Sequence, residues 1–179
     1  APCRPGSAGP ARLPCALGAA AAGRRAARLE GAAGRRAALL KPVVIDASAA
    51  AAWLVPDEQH DAADRHYMRA RSHPGVYQAP ALWLWELGNV LTVAYRHNRL
   101  PRPHYERGLE LAAQAQVVID APPNLHRSSQ VLRLAEAHQL TFYDASYLEL
   151  VVRLNGTLVS RDAALVRAAQ ACNISCEQF

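Results

Sequence analysis

At 179 residues, 51% of them hydrophobic, the chain is long enough for one domain with a proper buried core. Its formal net charge of +5 comes from the N-terminal stretch: residues 1–40 hold seven Arg against one Glu, whereas residues 41–179 hold 13 Lys and Arg against 14 Asp and Glu. Whole-chain basicity is therefore no argument for nucleic-acid binding, and no apolar run approaches the roughly 18 residues that a membrane span needs.

Residues 1–40 are almost entirely Ala, Gly, Arg and Pro, with too few large apolar side chains to build a core. They are expected to be a disordered or partly helical extension, with a frayed Ala/Arg helix over 19–40. The chain starts on Ala and Met68 is its single Met, which suggests an extension from an upstream start site. An Arg-rich, acid-poor leader also suits a transit peptide or a non-specific RNA-binding arm. Residues 41–179 are expected to form the folded domain.

Within that domain strand and helix patterns alternate. PVVIDAS (42–48) is an apolar, Val/Ile-rich run that reads as a buried parallel strand. A short helix follows in SAAAAWLV. Residues 57–71 pattern as an amphipathic helix after Pro56, 75–80 as a strand, 81–97 as a strongly apolar helix and 102–116 as another helix. Residues 116–121 read as a strand, 124–139 as a helix, and 141–155 as a helix capped by Gly156. Then come a strand at 156–160, a helix at 162–171 and a last strand at 173–179. Apolar strands separated by helices predict an α/β fold, a parallel sheet covered on both faces. In such sheets the ligand site lies beyond the carboxyl ends of the strands. Cys3, Cys15, Cys172 and Cys176 form neither a disulfide framework nor a zinc pattern. A helix would put Cys172 and Cys176 on one face, and reduced thiols in a cytoplasmic protein are the expectation.

Most acids have an ordinary explanation. Asp57, Asp61 and Asp64 sit at helical spacing on a solvated face near a helix start. Glu106, Glu110, Glu136 and Glu149 read as exposed helix residues, and Asp120 as a turn residue before Ala-Pro-Pro. Four acids stand apart. Asp46 ends the most apolar strand and is the only formal charge between Lys41 and Asp57; Glu86 is the only one between Arg71 and Arg96, and Asp144 the only one between Glu136 and Glu149. Asp162 follows the strand TLVS and opens a helix. Asp144 and Asp162 each also suit a helix N-cap, and Asp46 a turn. Glu86 in LWLWELGNVL has no local Arg to pair with, and an unpaired buried carboxylate costs several kcal/mol or shifts its pKa upward.

The strand and helix assignments bring all four acids to one sheet edge. Four carboxylates converging without a cation repel one another. A hard divalent ion removes the conflict, and oxygen-only ligands suit Mg²⁺ or Mn²⁺. Such a site does phosphodiester chemistry: one ion lowers the pKa of a water, and a second, roughly 4 Å away, stabilises the leaving oxygen. Ser48 and Ser160 each lie two residues from an acid, in DAS and SRD. They suit either orientation of a water or phosphate or capping of the helices that follow.

The successive segments VVIDASAAAAWL, PALWLWELGNVL, LTFYDASYLELV and TLVSRDAALVRAA resemble the motifs of PIN-domain proteins, closest to the VapC-type toxins. The resemblance spans about residues 42–179. It implies a doubly wound parallel sheet flanked by helices, an α/β/α sandwich. It implies that Asp46, Glu86, Asp144 and Asp162 hold Mg²⁺ or Mn²⁺ and act catalytically, with Ser160 beside the last acid and Asn89, one turn beyond Glu86, in support. The implied activity is hydrolysis of RNA by the toxin of a toxin–antitoxin pair, silenced by a cognate antitoxin that wraps it, and commonly dimeric. Residues 1–40 have no counterpart in the family. The remaining alternatives are a PIN nuclease of RNA processing and a non-catalytic RNA-binding protein on the same fold. Asp46-Ala47-Ser48 lacks the second Asp of a haloacid-dehalogenase-like site. A receiver-like site lacks its late Lys, since Lys41 is the only Lys, and nucleotide-binding folds lack their Gly-rich loop here. Arg96, Arg99 and Arg102 are the candidate RNA-facing patch.

Overall fold

The computed structural model of the protein describes residues 40–179. The helix expected over 19–40, and Cys3 and Cys15, lie essentially outside the described residues. Five short strands form the sheet: β1 (Val43–Ile45), β2 (Tyr77–Ala79), β3 (Val118–Ile119), β4 (Thr157–Val159) and β5 (Ser175–Glu177). Their order is β3-β2-β1-β4-β5 and every pairing is parallel. Seven α-helices accompany them: α1 (Ala47–Ala51), α2 (Asp61–Ser72), α3 (Trp83–Arg96), α4 (Arg102–Gln114), α5 (Leu125–His138), α6 (Phe142–Leu154) and α7 (Ala163–Ala171). This is the expected α/β/α architecture. No helix among the described residues is long and apolar enough to cross a membrane.

The order of strands has one consequence for function. The chain moves outward from β1 through β2 to β3, then jumps back to β4 on the other side of β1 and continues to β5. The sense of winding therefore reverses between β1 and β4, where the adjacent crossovers diverge and leave a crevice. Val43, Val44 and Ile45 pair with Thr157, Leu158 and Val159 there. All three β1 residues are buried, as the unbroken apolar run requires of a central strand.

Helix α6 is buried over seven consecutive residues, Ala145 to Val151. A helix covered on all sides is a core element rather than an amphipathic surface one. Helix α3 buries only the stripe Trp83, Leu87, Leu91 and Ala94, at three- and four-residue spacing. That stripe fixes its rotation, so Trp85 and Asn89 turn outward and Glu86 falls on the boundary between core and solvent.

Several local expectations need correction. The helix expected from residue 57 is divided: Pro56–Glu58 form a 3₁₀ turn, and α2 starts only after His60, whose imidazole caps it by accepting from the Ala62 N–H at 3.2 Å. Asp57 and Glu58 are drawn to Arg99 instead. The strand expected over 116–121 shrinks to two exposed edge residues. Asn155, not Gly156, takes the left-handed cap of α6, with φ 48°. The α7 helix stops at Ala171, so Cys172 ends that helix while Cys176 lies in β5; they share no helix face, and both are free thiols.

Glu149 and Asp120 were also misplaced by their local sequence. Glu149 is buried, and with Asp120 it forms a four-membered charge network with Arg127 and Arg153; Arg153 bonds Asp120 at 2.6 Å and Glu149 at 2.8 Å. That network ties the end of β3 to α5 and α6.

Gly156 has a different role from the cap. A Cβ there would stand 2.8 Å from the Pro42 carbonyl oxygen, a backbone atom that cannot rotate away. Thr157 donates to that same carbonyl at 2.8 Å, which locks β4 beside β1. Gly156→Ala is expected to destabilise the protein by roughly 1–3 kcal/mol, read as a lower midpoint in thermal or urea unfolding. An unchanged midpoint would remove this contact from the account of how β1 and β4 are joined.

Candidate active site

Asp46 follows β1 directly, and its N–H donates to the Val159 carbonyl at 2.9 Å, continuing the β1–β4 ladder one residue past the strands. Its carboxylate is therefore set at the reversal point of the sheet. Two serines hold it. Ser160, fully buried, donates to Asp46 Oδ2 at 2.7 Å, and Ser48 donates to the same oxygen. Each hydroxyl also accepts from the turn that follows β4: Ser160 Oγ from the Asp162 N–H and Ser48 Oγ from the Arg161 N–H, both at 3.0 Å. The serines thus join the first acid to the loop carrying the last one. They do not cap helices with their side chains in the simple sense weighed above. Burial raises the Asp46 carboxyl above its ordinary range; the serine hydrogen bonds lower it, and Asp144 raises it further.

Glu86 stands in the first turn of α3 and accepts a hydrogen bond from the phenol of Tyr147. Burial is the main reason its carboxyl is pushed up to about 7; Tyr147 works against that shift, while Asp46 and Asp144 add to it. Tyr147 itself is wholly buried, and its phenol lies well above its ordinary value, chiefly through burial and then the charges of Asp46 and Glu86. Sequence reasoning passed over Tyr147. The available signal was its place one helical turn after Asp144 in an apolar helix, where a buried hydroxyl needs a polar partner.

Asp144 is not an N-cap. Thr141 caps α6: its Oγ accepts from the Asp144 N–H at 3.1 Å and donates to Asp144 Oδ2 at 2.7 Å, which fixes the acid. Asp162 is the N-cap of α7, accepting from the Leu165 N–H at 2.8 Å, and it is exposed. The ordinary explanation weighed for Asp162 therefore holds for one of its oxygens.

The four acids nevertheless meet. Asp46, Glu86, Asp144 and Asp162 line a single cavity of about 590 Å³, together with Ser48 and Asn89. Among the described residues its lining holds no Lys, Arg or His. Among the described residues none of the four acids has an ion-pair partner, whereas Asp57, Glu58, Glu106, Asp120 and Glu149 each have one. The candidate basic patch is correspondingly weakened: Arg99 is held by Asp57 and Glu58, and Arg102 by Glu106.

Among the described residues no three carboxylate, imidazole or thiolate groups are gathered tightly enough to ligate one ion as a closed cage. The donor set still fits Mg²⁺ or Mn²⁺. It is oxygen only, it is short of positive charge, and Mg²⁺ commonly takes one or two carboxylates and keeps its remaining waters.

A doubly wound parallel sheet with an acid-lined cavity at its reversal point places the protein among α/β proteins whose ligand site is built at the carboxyl ends of the central strands. Comparison with known proteins narrows this. The PIN domain model matches residues 43–171. Ribonuclease VapC3 of Pyrobaculum aerophilum is 29% identical over 133 residues, covering 69% of this chain and 91% of that protein. The crystal structure of PAE2754 from Pyrobaculum aerophilum superimposes with a TM-score of 0.56 at 26% identity, covering 76% of this chain and 83% of the other. The chain belongs to the PIN domain family, whose members are generally nucleases, and it is distantly related to Ribonuclease VapC3.

The raised Glu86 carboxyl has a measurable consequence in EDTA. The folded chain keeps that proton up to about pH 7, while the unfolded chain releases it near 4.5. Between these values the folded state binds more protons, so stability is expected to fall as pH rises through that window. Asp46, also raised, acts in the same sense. Glu86→Gln should flatten the fall and raise the unfolding temperature at pH 8 by about 2–4 °C. A variant with the wild-type slope would show that another group titrates there.

Proposed function

We propose that the protein is a Mg²⁺- or Mn²⁺-dependent endoribonuclease acting as the toxin of a toxin–antitoxin pair. The single observation that carries the reading is the cavity at the sheet reversal, where four acids from distant parts of the chain meet without a basic partner among the described residues. Membership of the PIN domain family and the relation to a protein named Ribonuclease VapC3 supply the substrate class.

The residues divide the work by position. Asp46, Glu86, Asp144 and Asp162 would hold the cation, which when bound supplies Lewis acidity toward a phosphate oxygen and toward a water. Ser160 and Ser48 orient Asp46 by donating to one of its oxygens, and so offset part of the cost of burying its charge. Tyr147, buried behind the cavity wall, orients Glu86 by donating to one of its oxygens. Thr141 fixes Asp144. Asn89, exposed and one turn beyond Glu86, offers the cavity a neutral amide that can donate to a phosphate oxygen. A cognate antitoxin and a homodimer belong to this reading through the VapC relation.

Asp46→Asn and Asp144→Asn are each expected to lower RNA cleavage by roughly 100-fold or more with the fold retained, and Ser160→Ala by roughly 10- to 100-fold. EDTA should stop cleavage, and Mg²⁺ or Mn²⁺ should restore it. Wild-type rates in both Asp variants, or full activity in EDTA, would remove the assigned roles. The toxin assignment is tested by inducing the wild type and Asp46→Asn in a bacterial host and mapping RNA ends: the wild type should arrest growth and the variant should not.

A further inference from the structure

Two aromatic side chains stand at the cavity mouth where a water-facing surface ordinarily carries polar ones. Trp85 is 81% exposed and Tyr143 is 63% exposed. Each directly precedes an acid of the cavity: Trp85 precedes Glu86 on α3, and Tyr143 precedes Asp144 on α6. The helix rotations that bring the two acids to the pocket therefore also fix the two rings. Both rings line the acid cavity, and both also line a second hollow of about 240 Å³ beside it. That second hollow is largely apolar, with Pro80, Pro122 and Phe142 in its walls. Its one basic residue, Arg127, is occupied by Asp120 and Glu149.

The charge distribution gives these rings a task. Among the described residues the lining of the acid cavity offers a polyanion no Lys, Arg or His. Base stacking on aromatic faces is a source of affinity for nucleic acid that needs no positive charge in the lining. A largely apolar hollow that shares Leu82, Trp85 and Tyr143 with the acid cavity suits a heterocycle lifted out of its stack, with its phosphate left over the carboxylates.

We propose that Trp85 and Tyr143 form a platform that holds an unpaired nucleobase beside the scissile phosphodiester, the apolar hollow receiving the base. The inference rests on the nuclease reading and adds to it the side chains that hold the base next to the cut.

The test uses the full chain with Mg²⁺ and a loop-containing RNA whose cleavage position has been mapped. Trp85→Ala should raise KM about ten- to a hundredfold and leave kcat nearly unchanged, Tyr143→Ala should act in the same direction, and Trp85→Phe should recover most of the loss. An abasic nucleotide next to the cut should cost the wild type a similar factor and cost Trp85→Ala little more. In Asp46→Asn, a single-stranded oligonucleotide should quench tryptophan emission, and adding Trp85→Ala should abolish the quenching. Independent, multiplying losses from Trp85→Ala and the abasic nucleotide would overturn the platform, as would equal cleavage of loop and duplex. Intact cleavage by Trp85→Ala with lost binding of a protein partner would reassign the rings to a protein interface. Quenching through Trp85 in a protein that cleaves no RNA with either cation would overturn the nuclease reading and leave the platform standing.

Discussion

The structure depends on keeping four carboxyl groups at one point of a sheet where, among the described residues, no basic side chain pairs with them. Asp46 and Asp162 each occupy the N-cap position of a helix, and Glu86 and Asp144 lie in the first turns of two others. The free N–H groups of a helix N-terminus carry a partial positive charge that favours a carboxylate. Four helix starts aimed at one crevice therefore offset part of the mutual repulsion. They do so without a cationic side chain that would fill the cavity. Burial is the main reason the Glu86 and Asp46 carboxyls are raised, and the neighbouring acids add the remainder. A divalent cation is the natural complement of that remainder.

The contrast with the other acids is physical. Asp120 and Glu149 are also withdrawn from solvent, yet each is met by Arg127 and Arg153. That network ties three elements together. It is a structural use of charge, in which removing one member would strand the others. The cavity acids are instead partnered by hydroxyls: Ser48 and Ser160 on Asp46, Tyr147 on Glu86, Thr141 on Asp144. A hydroxyl fixes direction without cancelling charge, which suits a group that must stay available to a cation.

Helix α6 links core and site. Its run from Ala145 to Val151 is fully packed, and that packing places Asp144 at its first turn and Tyr147 one turn later. The rigidity of the acid cluster thus derives from hydrophobic burial in the middle of the molecule. The exposed Tyr143 lies on the same helix, next to Asp144.

The sequence by itself determined the order and type of nearly every element between residues 42 and 179, because apolar periodicity and Gly, Pro and capping residues act locally. It also singled out Asp46, Glu86 and Asp144 as acids isolated in apolar surroundings, the local mark of a costly carboxylate. What it could not decide were partnerships across the chain. Glu149 looks like any exposed helix acid until α5 brings Arg127 against it, and Arg99 looks free until the turn at Pro56–Glu58 captures it. Tyr147 gained its role only when α3 set Glu86 against it, 61 residues away in the chain. Only the tertiary structure decides such pairs, since a charge or hydroxyl acquires its energy from whatever lies within a few ångströms, and chain folding, not sequence distance, chooses that neighbour.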